Sequence, residues 1–230
     1  MTKSVRSKQV IGIILFILII DQVFKFYIKT NFYLGEDHKI LGNWFHIHFV
    51  ENEGMAWGWK LGESGSWGKI ALTVFRLAAV SFGVYYIRDI IRKKMHAGFI
   101  ICVALIFAGA VGNLIDSLFY GMIFEASDPL TQNVAQFLPE SGGYASLFHG
   151  KVVDMLYFPI VRSTFPDWFP WVGGEPFEFF SPVFNIADAS ISVGLIAILL
   201  FQKRFFQTQP EAKAATVDTE AKTADDLEIH

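Results

Sequence analysis

The sequence predicts a mainly α-helical membrane protein, with four transmembrane helices and a small β-containing extracytoplasmic domain. Of its 230 residues, 53% are apolar and only 18% are charged, whereas soluble domains average about 45–50% and about 25%. Mean hydropathy is +0.39. The apolar residues are also concentrated in runs of about 20, the length that a transmembrane helix needs. A soluble enzyme is therefore nearly excluded.

Four segments are long and apolar enough to cross a bilayer. They run from Gln9 to Ile28, from Gly68 to Ile87, from Ala97 to Ile115 and from Phe184 to Phe201. Basic residues precede the first segment, as they do in a signal peptide, but no small-x-small cleavage site follows it. We therefore expect the first segment to remain as a span.

Basic residues beside the spans predict the orientation of the chain. They precede the first span, separate the second from the third and follow the fourth: Lys3, Arg6, Lys8, Arg88, Arg92, Lys93, Lys94, Lys203 and Arg204. Because such flanks stay in the cytoplasm, both termini are predicted to be cytoplasmic. The membrane unit is then 1–207 with outward-facing loops 30–67 and 117–183, and the polar segment 208–230 is predicted to be a disordered cytoplasmic tail.

The outward-facing loops have the composition of strands and turns. The stretch from Trp44 to Val50 alternates in part between aromatic or β-branched residues and histidines, which favours a strand at the membrane surface. Seven of the eight prolines lie between Pro129 and Pro182, as expected for turns and short strands. These features predict the small β-containing domain.

Several functional classes are disfavoured by composition. A formal net charge of -3 gives no basic surface for nucleic acid. The single Cys102 excludes a disulfide framework within the chain and a cysteine metal site. His46 and His48 are two residues apart, but no third ligand is apparent. We therefore expect neither metal nor cofactor.

Five polar residues fall at the same predicted depth, close to the outer leaflet. Asp21 lies late in the first span, Asn113 and Asp116 lie late in the third, and Asn185 and Asp188 open the fourth. Residues three apart share a helix face, so each pair can present an amide and a carboxyl to one cleft. A single such residue is equally well explained as a helix cap. Convergence from three helices favours a functional site, because ionisable groups in a membrane are costly.

Asp154, within an apolar stretch of the second outer loop, adds a carboxyl at this level. Two carboxyls close together in a low-dielectric cleft share one proton, which gives an acid and a base. That is aspartic protease chemistry. A proton-coupled transporter is one alternative, although the runs Val10–Ile20 and Gly98–Val111 contain no charge for a path across the membrane. A noncatalytic membrane scaffold is another, and it would tolerate replacement of Asp154 and Asp188.

Five motifs, in this order along the chain, resemble those of the lipoprotein signal peptidase family, signal peptidase II. They are Asp21-Gln22-Val23-Phe24-Lys25, Asn52-Glu53-Gly54-Met55-Ala56-Trp57, Gly112-Asn113-Leu114-Ile115-Asp116, Val152-Val153-Asp154 and Phe184-Asn185-Ile186-Ala187-Asp188. The resemblance implies an intramembrane aspartyl endopeptidase of the bacterial inner membrane, which removes signal peptides from diacylglyceryl-modified prolipoproteins just before the lipidated cysteine. It also implies inhibition by globomycin and a site toward the outer leaflet, reached from the membrane lipid. We expect a monomer.

The resemblance also implies roles for individual residues. Asp154 and Asp188 would be the catalytic pair. The groups that position substrate and support the pair would be Asn52, Asn113, Asp116 and Asn185, with Asp21 structural or supportive. The family's third motif usually continues with an arginine, where this chain has Ser117.

Arg76, inside the second span, is a candidate replacement for the family's missing arginine. A cation at that depth is costly unless it is paired. One hypothesis is that Arg76 faces the cleft and pairs with Asp21, Asp116 or Asp154. The alternative is that its side chain extends toward the outer headgroups.

Overall fold

The computed structural model describes residues 7–53, 66–159, 161–179 and 182–206. Within those ranges four helices are long and apolar enough to cross a membrane. They are α1 (Ser7–Asn31), α2 (Ser66–Arg92), α3 (Ala97–Ile115) and α4 (Ile186–Phe205). The four predicted segments are thereby confirmed as helices long and apolar enough to cross a membrane. The predicted tail 208–230 lies outside the described residues.

The helical path of α3 extends beyond Ile115, where the sequence predicted that it would end. It continues through a π-helical turn, Asp116–Tyr120, and a last turn, Gly121–Ile123. The buried Tyr120 ring packs 4.8 Å from the Phe124 ring, between centroids, and this apolar packing holds the extension in place. The π-helical turn places Asp116 and Ser117 in the protein interior, and such turns are frequent at functional sites.

Small residues allow α3 and α4 to pack closely. A Cβ atom added to Gly109 would clash with the carbonyl oxygen of Ala187, and one added to Gly194 would lie 2.6 Å from the carbonyl oxygen of Cys102. The Ser190 hydroxyl donates to the Leu105 carbonyl across the same interface, at 3.1 Å. Close backbone approach through small residues is typical of helix pairs in membranes. It fixes the end of α3 against the start of α4.

The two ends of the helix bundle have different cores. At one end, which we call the basic end, buried Val10, Ile90 and Ile100 form an apolar cluster with Phe205 packed against it. The basic residues of this end that the structure describes are Lys8, Arg88, Arg92, Lys93, Lys94, Lys203 and Arg204. The opposite end, the sheet end, has a second apolar cluster: Ile28, Phe49, Tyr120, Phe124, Val153 and Met155.

A four-stranded antiparallel sheet lies at the sheet end. Its strands, in spatial order, are β1 (Asp37–Leu41), β2 (Phe45–Asn52), β3 (Val152–Tyr157) and β6 (Val183–Phe184). The strands β4 (Val161–Thr164) and β5 (Pro176–Phe179) form a separate antiparallel pair. The predicted strand at Trp44–Val50 is therefore confirmed as β2. The register pairs Val50 of β2 with Asp154 of β3, and Asp154 lies just before the part of β3 that pairs with β6.

Candidate active site

Asp154 projects from β3 and is buried, with 2% of its surface exposed. The Asn185 side-chain amide donates to its Oδ1 at 2.6 Å, and Asn52, the last residue of β2, also forms a side-chain hydrogen bond with it. Burial, followed by the negative charge of Asp188, raises the pKa of Asp154 to about 7, against the lowering effects of Lys25 and the two hydrogen bonds. This carboxyl therefore binds a proton far more tightly than a solvated aspartate does.

Asp188 lies in the first turn of α4, and its side chain does not act as the cap of that helix. The cap is Asn185, whose side-chain oxygen accepts a hydrogen bond from the Asp188 backbone N–H at 2.8 Å. The Asp188 carboxyl instead accepts a hydrogen bond from the Asn113 side-chain amide at 2.7 Å. Because Asn185 satisfies the helix terminus, the Asp188 carboxylate remains directed at the end of α3.

Two asparagines connect the two aspartates in one chain of hydrogen bonds. The Asn185 amide nitrogen donates to Asp154 and also to the Asn113 side-chain oxygen, at 3.1 Å, while Asn113 donates to Asp188. Each amide therefore contacts one carboxyl and the other amide. Connected buried hydrogen bonds strengthen one another in a low dielectric. The chain of amides fixes the carboxyl from β3 relative to the carboxyl from α4.

Lys25, in α1, is fully buried beside this chain of amides. Its ammonium lies 2.9 Å from Asp21 Oδ2, 2.8 Å from Asp116 Oδ2 and 2.8 Å from the side-chain oxygen of Asn113. An ammonium has three donors, and the three contacts match them. The sequence analysis assigned no role to Lys25. The signal was available, because a lysine four residues after an aspartate in an apolar helix indicates a pair on one face.

Asp21 and Asp116 connect three helices through this ammonium. Asp21 Oδ1 also accepts a hydrogen bond from the Ala187 backbone N–H at 2.8 Å, in the first turn of α4. The Gln22 side-chain amide donates to Asp116 Oδ1 at 2.9 Å and to Asp21 Oδ2 at 3.1 Å. Sequence reasoning overlooked Gln22 as well. These contacts bind α1, α3 and α4 into the wall behind the aspartate pair.

Arg76 extends from α2 to the position where the family's arginine is missing. Its guanidinium donates to the Ser117 hydroxyl at 2.8 Å, and that hydroxyl donates to the Asn113 backbone carbonyl at 2.9 Å. The guanidinium also interacts electrostatically with Asp188, then Asp116, then Asp154. Arg76 is therefore directed toward the cleft. The strongest of these interactions is with Asp188, which the sequence analysis did not name as a partner.

A second group of buried charges supports the sheet. Lys29 of α1 is ion-paired with Glu51 of β2 and donates to the Ser127 hydroxyl at 2.7 Å, and Lys151 lies 3.3 Å from the other Glu51 oxygen. Glu51 directly precedes Asn52, which hydrogen-bonds Asp154. The Lys29–Glu51–Lys151 group therefore anchors the end of β2 beside the site.

The two histidines of β2 have a structural environment. His46 is buried, with its Nδ1 atom 2.8 Å from Asp37 Oδ1, and the Tyr157 ring packs between His46 and His48 at 5.6 and 5.8 Å. Across the ranges that the structure describes, no group of three or more His, Cys, Asp or Glu side chains is arranged to hold a metal ion.

Four apolar helices and a buried network of acids and amides define a multi-pass membrane protein with a polar site at one end. The family model described as signal peptidase (SPase) II matches residues 13–204 of the chain. The chain therefore belongs to the signal peptidase II family.

Two relatives and one solved structure are similar to this chain. A lipoprotein signal peptidase of Porphyromonas gingivalis is 46% identical over 200 residues, which cover 86% of this chain and 84% of that protein. The lipoprotein signal peptidase of Amoebophilus asiaticus is 35% identical over 205 residues, covering 88% and 80% respectively. A bacterial membrane enzyme determined by the in meso method has a similar fold, with a TM-score of 0.57, 24% identity, and coverage of 92% of this chain and 99% of that chain.

Proposed function

We propose that this protein is an intramembrane aspartyl endopeptidase that removes signal peptides from diacylglyceryl-modified prolipoproteins, cutting before the lipidated cysteine. The observation that carries the proposal is the buried hydrogen-bond chain from Asp154 through Asn185 and Asn113 to Asp188. The names of the relatives supply the substrate class, and the paired carboxyls supply the mechanism.

In this mechanism the two carboxyls share one proton and activate water. Asp154, whose pKa is raised to about 7, holds the proton and donates it toward the scissile carbonyl oxygen. The ionised Asp188 accepts a proton from the water as its oxygen attacks the carbonyl carbon. Asp188 then donates this proton to the amide nitrogen as the C–N bond breaks. Asp154 recovers a proton from a hydroxyl of the tetrahedral intermediate, which becomes the carboxyl group of the product, so the pair again holds one proton. A carboxyl that titrates near the working pH suits both roles.

Two cations beside the pair support the assignment of Asp154 as the acid and Asp188 as the base. Lys25 compensates the charges of Asp21 and Asp116, so that these carboxylates act less on the catalytic pair. Arg76 places a positive charge where it interacts with Asp188, the carboxyl that accepts the proton from water in this mechanism. We assign Asn52, Asn113 and Asn185 to positioning of the carboxyls and of the substrate.

The proposed location follows from the difference between the two ends of the bundle. Basic residues gather at the end opposite the aspartates, and such residues stay in the cytoplasm. We therefore place both termini in the cytoplasm of a bacterium, and the active site at the outer leaflet of its inner membrane. A lipidated precursor can then enter sideways while its acyl chains stay in hydrocarbon. The apolar cluster at the basic end favours this function over a proton path across the membrane.

A cleavage assay with purified components tests the proposal. The protein is incubated with a diacylated prolipoprotein, and the released signal peptide and the new N-terminal lipidated cysteine are identified by mass spectrometry. The same precursor without the diacylglyceryl group is the control. Cleavage of the lipidated precursor alone is expected. Equal cleavage of both precursors, or of neither, would contradict the proposed substrate class.

Two reagents separate this mechanism from others. Globomycin is expected to block cleavage by placing a hydroxyl between the two carboxyls. EDTA is expected to leave the rate unchanged, because water and two carboxyls suffice. Loss of activity with EDTA and its recovery with zinc would instead assign the chemistry to a metal, with His46 and His48 as the first ligands to examine.

A further inference from the structure

A groove of about 530 Å³ lies between α1 and α2 at the basic end, far along the bundle from the aspartates. Its volume is within the range of about 300–1,000 Å³ that is usual for small-molecule sites. Apolar side chains form most of its surface, including Val10, Ile11, Ile14, Val84, Ile91 and Phe107. The basic residues Arg88 and Arg92 also border it. The groove therefore combines an apolar lining with a cationic edge.

The length of the groove suits an acyl chain of one leaflet. On α1 it extends from Ser7 to Ile14, and on α2 from Val84 to Arg92, which at 1.5 Å per residue is roughly 10–12 Å. Half of a hydrocarbon core of about 30 Å is about 15 Å. A transmembrane peptide helix would have to run the full thickness, so the groove fits a lipid chain better.

The charge at the edge of the groove selects among lipids. Arg88 and Arg92 are exposed and four residues apart, so they lie on one face of α2. Basic pockets between transmembrane helices bind acidic lipid headgroups. The positively charged first segment of a signal peptide would be repelled by the same two guanidinium groups.

We propose that this groove binds one anionic phospholipid, with an acyl chain between α1 and α2 and its phosphate at Arg88 and Arg92. The lipid would connect α1, which carries Lys25, to α2, which carries Arg76, and so stabilise the bundle from the end opposite the active site. This site is separate from the cleft at the aspartates, and it does not depend on the proposed peptidase chemistry.

Thermal unfolding of the purified protein in detergent tests the proposal. Phosphatidylglycerol is added to one sample, and phosphatidylcholine with the same acyl chains is added to another. Phosphatidylglycerol is expected to raise Tm by about 5 °C at saturation, and phosphatidylcholine by much less. Native mass spectrometry is expected to show one retained phosphatidylglycerol per protein.

Variants locate the effect. Arg88→Gln with Arg92→Gln should remove most of the Tm shift, and Val84→Trp should remove it by filling the groove while both arginines remain. Lys203→Gln with Arg204→Gln is the matched control, because it removes the same charge from the basic end on α4, and it should keep the full shift.

Three results would overturn the proposal. They are an equal shift with phosphatidylcholine, an equal loss in the α4 control, and displacement of the bound lipid by a cationic signal peptide. Because the readout is Tm and lipid retention, these outcomes are independent of whether the protein cleaves prolipoproteins.

Discussion

The sheet end contains two pairs of aspartates that differ in what holds them. Asp21 and Asp116 both contact the Lys25 ammonium, whereas Asp154 and Asp188 accept hydrogen bonds from the side-chain amides of Asn185 and Asn113. A buried cation compensates carboxylate charge directly. An amide orients a carboxyl without neutralising it, so two such carboxyls that interact can exchange a proton.

We propose that this difference separates a structural pair from a catalytic pair. The Lys25-linked pair connects α1, α3 and the first turn of α4. The amide-linked pair instead has one carboxyl on β3 and one in the first turn of α4. On this proposal the same residue type serves two purposes at the sheet end, and the partners of each carboxyl decide which purpose it serves.

The largest expected effect comes from the amide-linked pair. Asp188→Asn keeps size and hydrogen bonding but removes the base, so cleavage of a diacylated prolipoprotein should fall at least about 10²-fold, with Tm nearly unchanged. Asp89→Asn makes the same change at the basic end and should cleave as the parent does. An Asp188→Asn protein that keeps substantial activity would show that the chemistry lies elsewhere.

The Lys25-linked pair should respond in stability. Lys25→Met leaves Asp21 and Asp116 without their ammonium in a buried site, and breaking such pairs costs about 3–5 kcal/mol. A large drop in Tm is expected, measured by thermal unfolding in detergent. Adding Asp116→Asn to Lys25→Met should recover part of the loss. If Lys25→Met melts as the parent does, the ammonium does not hold the helices together.

The arginine at the edge of the pair should have an intermediate effect on activity. Arg76→Leu removes the cation that acts on Asp188, and we expect roughly tenfold slower cleavage, equivalent to about 1.4 kcal/mol. Ser117→Ala removes the hydrogen bonds of the Ser117 hydroxyl to Arg76 and to the Asn113 carbonyl but keeps the guanidinium, and it should cost less. Adding Ser117→Arg to Arg76→Leu should restore part of the rate. Parent-like cleavage by Arg76→Leu would exclude a role for this cation.

A further effect concerns the dependence of stability on pH. Folding raises the pKa of Asp154 from its ordinary 3.8 to about 7, so the folded protein binds a proton that the unfolded chain releases. This contribution is complete below about pH 4 and is lost as pH rises through about 7. Between pH 5 and 8 the Tm of the parent should therefore fall relative to that of Asp154→Asn. Parallel Tm curves would contradict the raised pKa.

The convergence of polar residues could be predicted from the sequence because topology alone fixes their depth. Spans of about 20 apolar residues and the basic flanks placed Asp21, Asn113 and Asp188 at one level, and the structure brings them into one network. The motif spacing also placed Asn185 one turn before Asp188. Only the backbone structure showed that Asn185 caps α4 and that the Asp188 carboxyl does not.

The remaining features depend on contacts that no local pattern specifies. The spacing of Lys25 four residues after Asp21 could have indicated that pair, but its contacts with Asp116 and Asn113 of α3 depend on how the helices pack. No sequence pattern indicated the π-helical turn at Asp116–Tyr120. The predicted third span therefore ended at Ile115, just before it. Lys29 of α1 and Glu51 of β2 form an ion pair because β2 packs against α1. Their spacing along the chain does not predict this contact.

Infrared spectroscopy of the protonated carboxyl tests most directly whether Asp154 and Asp188 are the pair that shares a proton. Spectra of the purified protein are compared at about pH 6 and pH 9 for the parent, Asp154→Asn and Asp116→Asn. The parent should show a buried protonated carboxyl at pH 6 that disappears as pH rises through about 7, the pKa of Asp154. Asp154→Asn should lack this signal and Asp116→Asn should keep it. A signal that survives in Asp154→Asn and is lost in Asp116→Asn would place the shared proton in the Lys25-linked pair and contradict the account.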